Sequence, residues 1–159
     1  AAIRAAQRSI GMMRTVFFSL FPCLSDNMAL AGVNKAALKQ LNGTVRCFMA
    51  DPDVAAEAKE RGVTRAIVSM ERAATLAGPV IFAIGNAPTA LIRLYEMMQK
   101  GEIHPDFIIG TPVGFVNVVE SKELICQSSV PCIVARGRKG GSNIAAAVCN
   151  ALMYQVTRA

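Results

Sequence analysis

The chain has 159 residues, of which 53% are hydrophobic and 18% are charged, and its net charge at pH 7 is +6. This length suits one domain with a single core, and the hydrophobic content excludes a disordered chain. No stretch approaches the run of about 18 apolar residues that a membrane span needs, and no cleavage pattern follows the apolar stretch near the N-terminus. We therefore expect one domain over residues 1–159, in the cytoplasm and without membrane contact.

The charged and sulfur-containing residues exclude several kinds of site. The five cysteines include no CxxC pair, and the single histidine and scattered acids form no ligand cluster, so buried free thiols and no metal site are expected. The excess of basic residues fits either a nucleic acid or a small polyanionic ligand. The cations are dispersed and there is no tryptophan, so the sequence offers no platform for stacked bases.

The predicted elements alternate between helices and strands. In chain order they are a helix at 1–10, a strand at 16–21, a helix at 34–41, a strand at 45–49, a helix capped by Asp51 or Asp53 that ends at 61, a helix at 65–76, a strand at 80–84, a helix at 89–100, a strand at 107–109, a helix at 116–127, a strand at 131–135 and a helix at 142–154. This alternation, with short glycine-bearing turns, predicts an α/β fold with a doubly wound, mostly parallel sheet.

Ligands of such sheets bind beyond the carboxyl ends of the strands. Four turns follow predicted strands, at residues 26–27, 85–88, 110–115 and 137–142. Because parallel strands end at the same edge, we expect all four turns to lie together. His104, the only histidine, falls before a strand and is expected at the opposite edge, where it could not act as an acid or base in the site.

The segment at 137–142, hereafter the basic loop, carries the strongest chemical signal. Its sequence GRKGGS combines glycines, two cations and the hydroxyl of Ser142, which is predicted to cap the following helix. Exposed backbone N–H groups and the positive end of a helix dipole favour a carboxylate or phosphate there. It is not a Walker loop, which ends in GKS or GKT. The alternative is a tight turn whose Arg138 and Lys139 only face water.

Three other segments allow a structural and a functional interpretation. The run IGNAPTAL at 84–91 is typical of a strand-to-helix connection that Asn86 can cap, and it contains no GxGxxG dinucleotide motif. Arg65 in a first helical turn opposes the dipole, which suggests either pairing with a carboxylate ligand or a solvated surface position. Lys122 and Glu123 are interpreted as charges on a helix surface, and the alternative for this segment is that Glu120 positions a loop.

Several of these segments, in this order, resemble the precorrin-8X methylmutase family, also called cobalt-precorrin-8 methylmutase. They are Thr64-Arg65, Met70-Glu71, IGNAPTAL at 84–91, Gly110 with PVGF at 112–115, ESK at 120–122, GRKGGS at 137–142 and Asn150-Ala151. The resemblance extends from about residue 24 to residue 152, with weaker agreement over 1–10. It implies a homodimer with a Rossmann-like, three-layer α/β/α fold.

The resemblance also implies an activity in cobalamin biosynthesis. The family is an isomerase that moves a methyl group from C-11 to C-12 of the macrocycle without a cofactor and yields hydrogenobyrinate or its cobalt analogue. Its polycarboxylate, corrin-type tetrapyrrole substrate suits the basic loop. Arg65 matches an arginine near the family's catalytic histidine, and Asp26 matches an aspartate at a strand end. The candidate substrate-binding residues are Asp26, Thr64, Arg65, Asn86, Gly114, Phe115, Arg138, Lys139, Gly140, Gly141 and Ser142.

The sequence departs from the family in its N-terminal part. Nothing corresponds to the family's Arg-x-Ile-His segment, and no histidine precedes His104, so no catalytic residue is identified. The chain is therefore expected to be N-terminally incomplete or a degenerate paralogue that isomerises its ligand poorly. Two alternatives remain open: a tetrapyrrole-binding or carrier protein without catalysis, and an unrelated basic module that binds nucleic acid.

Overall fold

A computed structural model describes residues 21–24, 27–76 and 78–157 of the chain. Within these residues, four strands form one sheet in the order β1 (Phe21–Leu24), β2 (Val80–Ile84), β3 (Phe107–Gly110) and β4 (Cys132–Val134). Every neighbouring pair is parallel, with Ile81 opposite Phe107 and Ile108 opposite Cys132. The predicted parallel sheet is therefore confirmed.

Seven helices accompany the sheet in the described part of the chain. They are α1 (Asn27–Gly32), α2 (Lys35–Gln40), α3 (Pro52–Arg61), α4 (Arg65–Ala73), α5 (Pro88–Gln99), α6 (Val118–Gln127) and α7 (Ser142–Thr157). None of them is long and apolar enough to cross a membrane. Local sequence sets their ends: the side chain of Asn34 accepts from the N–H of Ala37 at the start of α2, and Gly62 ends α3 in a left-handed conformation with φ 63°.

The two faces of the sheet bury different side chains, because successive residues of a strand point to opposite sides. Ile81, Ala83 and Ile109 pack against one cluster that contains residues of α1, α2 and α7. Phe82, Ile84, Ile108 and their neighbours pack against a second cluster drawn mainly from α4, α5 and α6. Helices therefore cover both faces, which is the expected three-layer α/β/α arrangement. Since the central strands are covered on both sides, they are apolar along their whole length.

One predicted strand is wrong, and most of another lies outside the described residues. The predicted strand at 45–49 is wrong: apart from one bridging position at Arg46, this stretch is irregular. Its apolar side chains instead pack between layers, with Cys47 against the first cluster and Met49 against the second. The first described strand is Phe21–Leu24, so it shares only residue 21 with the predicted strand at 16–21. Residues 16–20, and the predicted helix at 1–10, lie outside the described residues.

Candidate anion-binding site

The loops that follow β2, β3 and β4 meet at one edge of the sheet, as the parallel topology requires. The N–H of Thr111, just after β3, donates to the carbonyl of Ile84 at the end of β2 over 2.8 Å. The N–H of Gly141 in the basic loop donates to the carbonyl of Thr111 over 2.7 Å. Main-chain hydrogen bonds therefore join all three loops directly.

Two glycines make this close approach of the loops possible. A Cβ atom on Gly85 would lie 2.6 Å from the Cα atom of Ser142, and one on Gly140 would overlap the carbonyl oxygen of Thr111. Both neighbours are main-chain atoms, which cannot move aside as a flexible side chain can. The first residue of α7 is therefore held against the end of β2, and the basic loop is held against the end of β3.

Phe115 and Arg138 come together from separate loops. The guanidinium carbon of Arg138 lies 5.9 Å from the centre of the Phe115 ring, and the N–H of Gly114 lies 3.5 Å from the carbonyl oxygen of Arg138. Phe115 is 84% exposed, which is unusual for a large apolar side chain. An exposed aromatic ring beside an exposed guanidinium is a surface suited to a flat ligand with acidic substituents.

The N-terminus of α7 completes this side of the site. The carbonyl of Gly141 accepts from Ile144 and Ala145, so Gly141 rather than the predicted Ser142 occupies the capping position. No acceptor among the described residues binds the N–H groups of Ser142 and Asn143. Both residues line an open hollow of about 610 Å³, together with Met28, Ala31 and Gly32 from α1. Unpaired N–H groups at a helix start attract an anion.

The start of α4 reaches the same edge. The hydroxyl oxygen atoms of Thr64 and Thr89 lie 3.4 Å apart, which places the beginning of α4 beside the beginning of α5. Arg65 is exposed, and its guanidinium has no hydrogen bond or ion pair to any described residue. By contrast, Arg93 on α5 pairs with Glu71 over 2.9 Å. The side chain of Arg65 is therefore available to a ligand.

Some predicted site residues behave differently from expectation. Asn86 lies on the β2–α5 turn and is exposed, but Ala87 holds the capping position and no side chain caps α5. Asp26 lies outside the described residues. His104 is exposed and precedes β3, so it lies at the opposite edge of the sheet, where it was predicted to lie. In the described ranges, no group of three or more His, Cys, Asp or Glu side chains is placed to hold a metal.

Comparison with known proteins identifies the family. The family model described as precorrin-8X methylmutase matches residues 3–155. The chain belongs to this family. It is 46% identical over 125 residues to a cobalt-precorrin-8 methylmutase of Priestia megaterium, covering 79% of this chain and 56% of that protein. A cobalt-precorrin-8 methylmutase of Salmonella typhimurium is 42% identical, with 87% of this chain and 66% of that protein covered.

Solved structures agree with this assignment. A precorrin-8X methylmutase from Thermus thermophilus superimposes with a TM-score of 0.79 at 33% identity, covering 96% of this chain and 71% of that one. A precorrin-8X methylmutase related protein also gives a TM-score of 0.79, at 26% identity, and covers 98% and 88% of the two chains. The chain spans between about half and two thirds of the length of the first two curated methylmutases that it matches.

One residue of this candidate site was misjudged from sequence. Lys122 was interpreted as a surface charge, but it is fully buried, and its ammonium donates to the carbonyls of Gly137 and Lys139 over 2.7 and 2.8 Å. Burial lowers the pKa of this ammonium group. A signal was present: Lys122 stands four residues after Val118 and three before Ile125, and both of those residues are buried. The helical period therefore places Lys122 on the inner face of α6.

Proposed function

We propose that this chain binds a polycarboxylate, corrin-type tetrapyrrole at the carboxyl edge of its sheet, as part of a methylmutase of cobalamin biosynthesis. The proposed reaction moves a methyl group from C-11 to C-12 of precorrin-8X, or of cobalt-precorrin-8, to give hydrogenobyrinate or cobyrinate. The observation that carries the proposal is the joining of the basic loop, the start of α7 and the Phe115–Arg138 pair at one edge. Membership of the methylmutase family supports it.

The proposed roles follow from the chemistry of each group. Arg138, Lys139 and Arg65 would pair with carboxylates on the rim of the macrocycle, and guanidinium groups would do so through two parallel hydrogen bonds. The N–H groups of Ser142 and Asn143 would bind a further carboxylate at the start of α7. The ring of Phe115 would lie against the macrocycle. Glycines at 114, 140 and 141 would let the main chain approach the ligand, and Thr64 and Asn86 would add hydrogen bonds.

The proposed reaction is intramolecular, so it transfers no electron or group to a second molecule and we propose no cofactor. A proton must still move during the shift, and imidazole is the side chain that most often performs this step. The one imidazole of these 159 residues belongs to His104, at the opposite edge. We therefore assign ligand binding to this chain's own residues and no proton transfer to any of them.

Titration with hydrogenobyrinate, followed by visible absorbance, tests the binding proposal. We expect a spectral shift that saturates at one ligand per chain. Replacing Arg138 by Ala should weaken binding about tenfold or more, because one charge-assisted contact contributes about 1.5–3 kcal/mol. Lys100→Ala is the matched control, since this exposed lysine follows α5 at the other end of the sheet. Absence of any shift with the wild-type chain would contradict the proposal.

A methyl-shift assay separates the isomerase from the carrier alternative. The assay follows conversion of precorrin-8X to hydrogenobyrinate by its change in visible spectrum. Binding together with conversion supports the full methylmutase reaction. Binding without conversion supports the carrier, and conversion that appears only after an Arg-x-Ile-His segment is added ahead of this chain assigns the proton transfer to that segment.

We also propose that the chain forms a homodimer in a reducing compartment. Val113 and Val116 are exposed large apolar residues near the site, and such surface is common where subunits meet. Cys47, Cys126, Cys132 and Cys149 are free thiols, as cysteines usually are in the cytoplasm. Sedimentation equilibrium should give twice the monomer mass of 16.9 kDa. A single species at the monomer mass would exclude the dimer.

A further inference from the structure

The ammonium group of Lys122 is buried beneath the basic loop with no acidic partner. Lys122 has no exposed surface, and its Nζ donates to the carbonyl oxygen atoms of Gly137 and Lys139. No carboxylate of the described residues forms an ion pair with it. Burying a lysine is costly unless its charge is compensated. A buried lysine whose partners among the described residues are two carbonyls of one loop suggests a role in that loop.

Because the peptide bond is planar, these two contacts also fix the direction of the N–H groups that follow the two carbonyls. In a trans peptide, the C=O group and the following N–H group point in opposite directions. Because the carbonyls of Gly137 and Lys139 point toward Nζ, the N–H groups of Arg138 and Gly140 point away from it. Neither N–H group has an acceptor among the described residues. Together they form a pair of donors directed away from α6.

We propose that Lys122 is a positioning residue that orients the basic loop so that the N–H groups of Arg138 and Gly140 face an anionic ligand. The proposal rests on the proposed function, because the ligand is the carboxylate-bearing macrocycle. Lys122 does not touch the ligand itself. It holds the carbonyls on the inner side of the loop, and its buried charge adds to the positive potential on the outer side.

Lys122→Met tests this role, since methionine is unbranched and apolar but removes the donors and the charge. We expect hydrogenobyrinate to bind at least about tenfold more weakly, because two charge-assisted hydrogen bonds no longer hold the loop. Lys100→Met is the control for loss of an exposed lysine and should bind like the wild type. If Lys122→Met is folded by circular dichroism and still binds with wild-type affinity, the proposal is overturned.

A double-mutant cycle distinguishes positioning from a general effect on stability. If Lys122 orients the loop that carries Arg138, then Arg138→Ala should weaken binding much less in the Lys122→Met background than in the wild type. The same substitution in the Lys100→Met background should keep its full effect. If the fold-losses in hydrogenobyrinate affinity caused by Lys122→Met and Arg138→Ala multiply in the double variant, the two effects are independent and the proposal is contradicted.

Amide hydrogen exchange of the wild-type protein is a measurement that needs neither a stable variant nor a ligand-binding constant. In the free wild-type protein, the N–H groups of Arg138 and Gly140 should exchange with solvent rapidly, and saturating hydrogenobyrinate should protect them. Unchanged exchange with the ligand bound would overturn the proposal while the proposed function stands. If the wild type binds no hydrogenobyrinate, the proposed function fails, and with it the role of these two N–H groups as ligand donors.

Discussion

At the scale of single residues, Gly85 decides how closely two elements approach. The main chain of Ser142 occupies the space that a side chain at position 85 would need. Gly85→Ala should therefore lower the free energy of unfolding by about 1–3 kcal/mol, as other insertions into packed sites do, and should weaken hydrogenobyrinate binding by displacing the start of α7. Urea unfolding and the absorbance titration measure the two effects.

Gly101→Ala is the matched control for this substitution. Gly101 has φ 70° and open space around its Cα atom, so alanine costs only about 1 kcal/mol of backbone strain there. Gly101 follows α5 at the end of the sheet away from the site, and binding should not change. An equal loss of ligand affinity in both variants would contradict a specific role for Gly85.

The buried thiol of Cys149 makes the free energy of unfolding fall as the pH rises in the alkaline range. Burial raises the pKa of Cys149 from 9.0 to about 12. Between these values the unfolded chain loses the thiol proton first, so rising pH favours unfolding, by up to about 1.4 kcal/mol per pH unit. Denaturant unfolding of Cys149→Ala should show a smaller decline above pH 9 than the wild type. Val148→Ala, which also removes packing from α7, should keep the wild-type decline.

At the scale of elements, Asn150 attaches α7 to the junction of α1 and α2. Its side-chain oxygen accepts from the N–H of Asn34 over 2.8 Å, and its side-chain nitrogen donates to the carbonyl of Gly32 over 2.8 Å. Asn150→Ala leaves both main-chain groups without this partner and should lower the free energy of unfolding by about 2 kcal/mol. Thermal unfolding should show the loss, whereas Gln155→Ala, exposed on the same helix, should change little.

Ion pairs join α3, α4 and α5 on the other face of the sheet. Glu71 pairs with Arg61 and Arg93, and these contacts, led by the hydrogen bond from Arg61, lower the pKa of Glu71. Folding therefore favours the ionised form of the Glu71 carboxyl group. The resulting contribution to the free energy of unfolding is present above pH 4.5 and is lost as the pH falls below that value. Glu71→Gln should lower stability at pH 7 by up to about 1 kcal/mol, and this effect should shrink as the pH falls below 4.5. A difference between the two proteins that does not shrink on acidification would argue against this origin.

At the scale of the whole molecule, the charge of +6 sets how an anionic ligand approaches. Raising salt from 0.1 to 1 M shortens the screening length from about 10 Å to about 3 Å, so hydrogenobyrinate should bind more weakly. Its methyl ester, which lacks the carboxylate charges, should show almost no salt dependence. Salt-sensitive binding of duplex DNA without any corrin binding would instead favour a nucleic-acid-binding protein.

Much of this architecture follows from local sequence, because hydrophobic period, caps and glycines act over a few residues. The apolar strands at 80–84 and 107–109, the Pro52 helix start and the Gly62 stop were predictable in this way. Since the four described strands are parallel, the meeting of three loops at one edge followed from topology alone. Three of the family motifs, at 84–91, 110–115 and 137–142, fall at these loops and were visible in the sequence.

The tertiary structure decided which distant groups touch. Only the folded chain shows the ammonium of Lys122 beneath the basic loop, Thr64 beside Thr89, and Asn150 against Asn34. It also decided that the stretch at 45–49 packs between layers instead of joining the sheet. Local propensity describes a segment by itself, whereas strand pairing and the compensation of a buried charge depend on partners that are remote in the sequence.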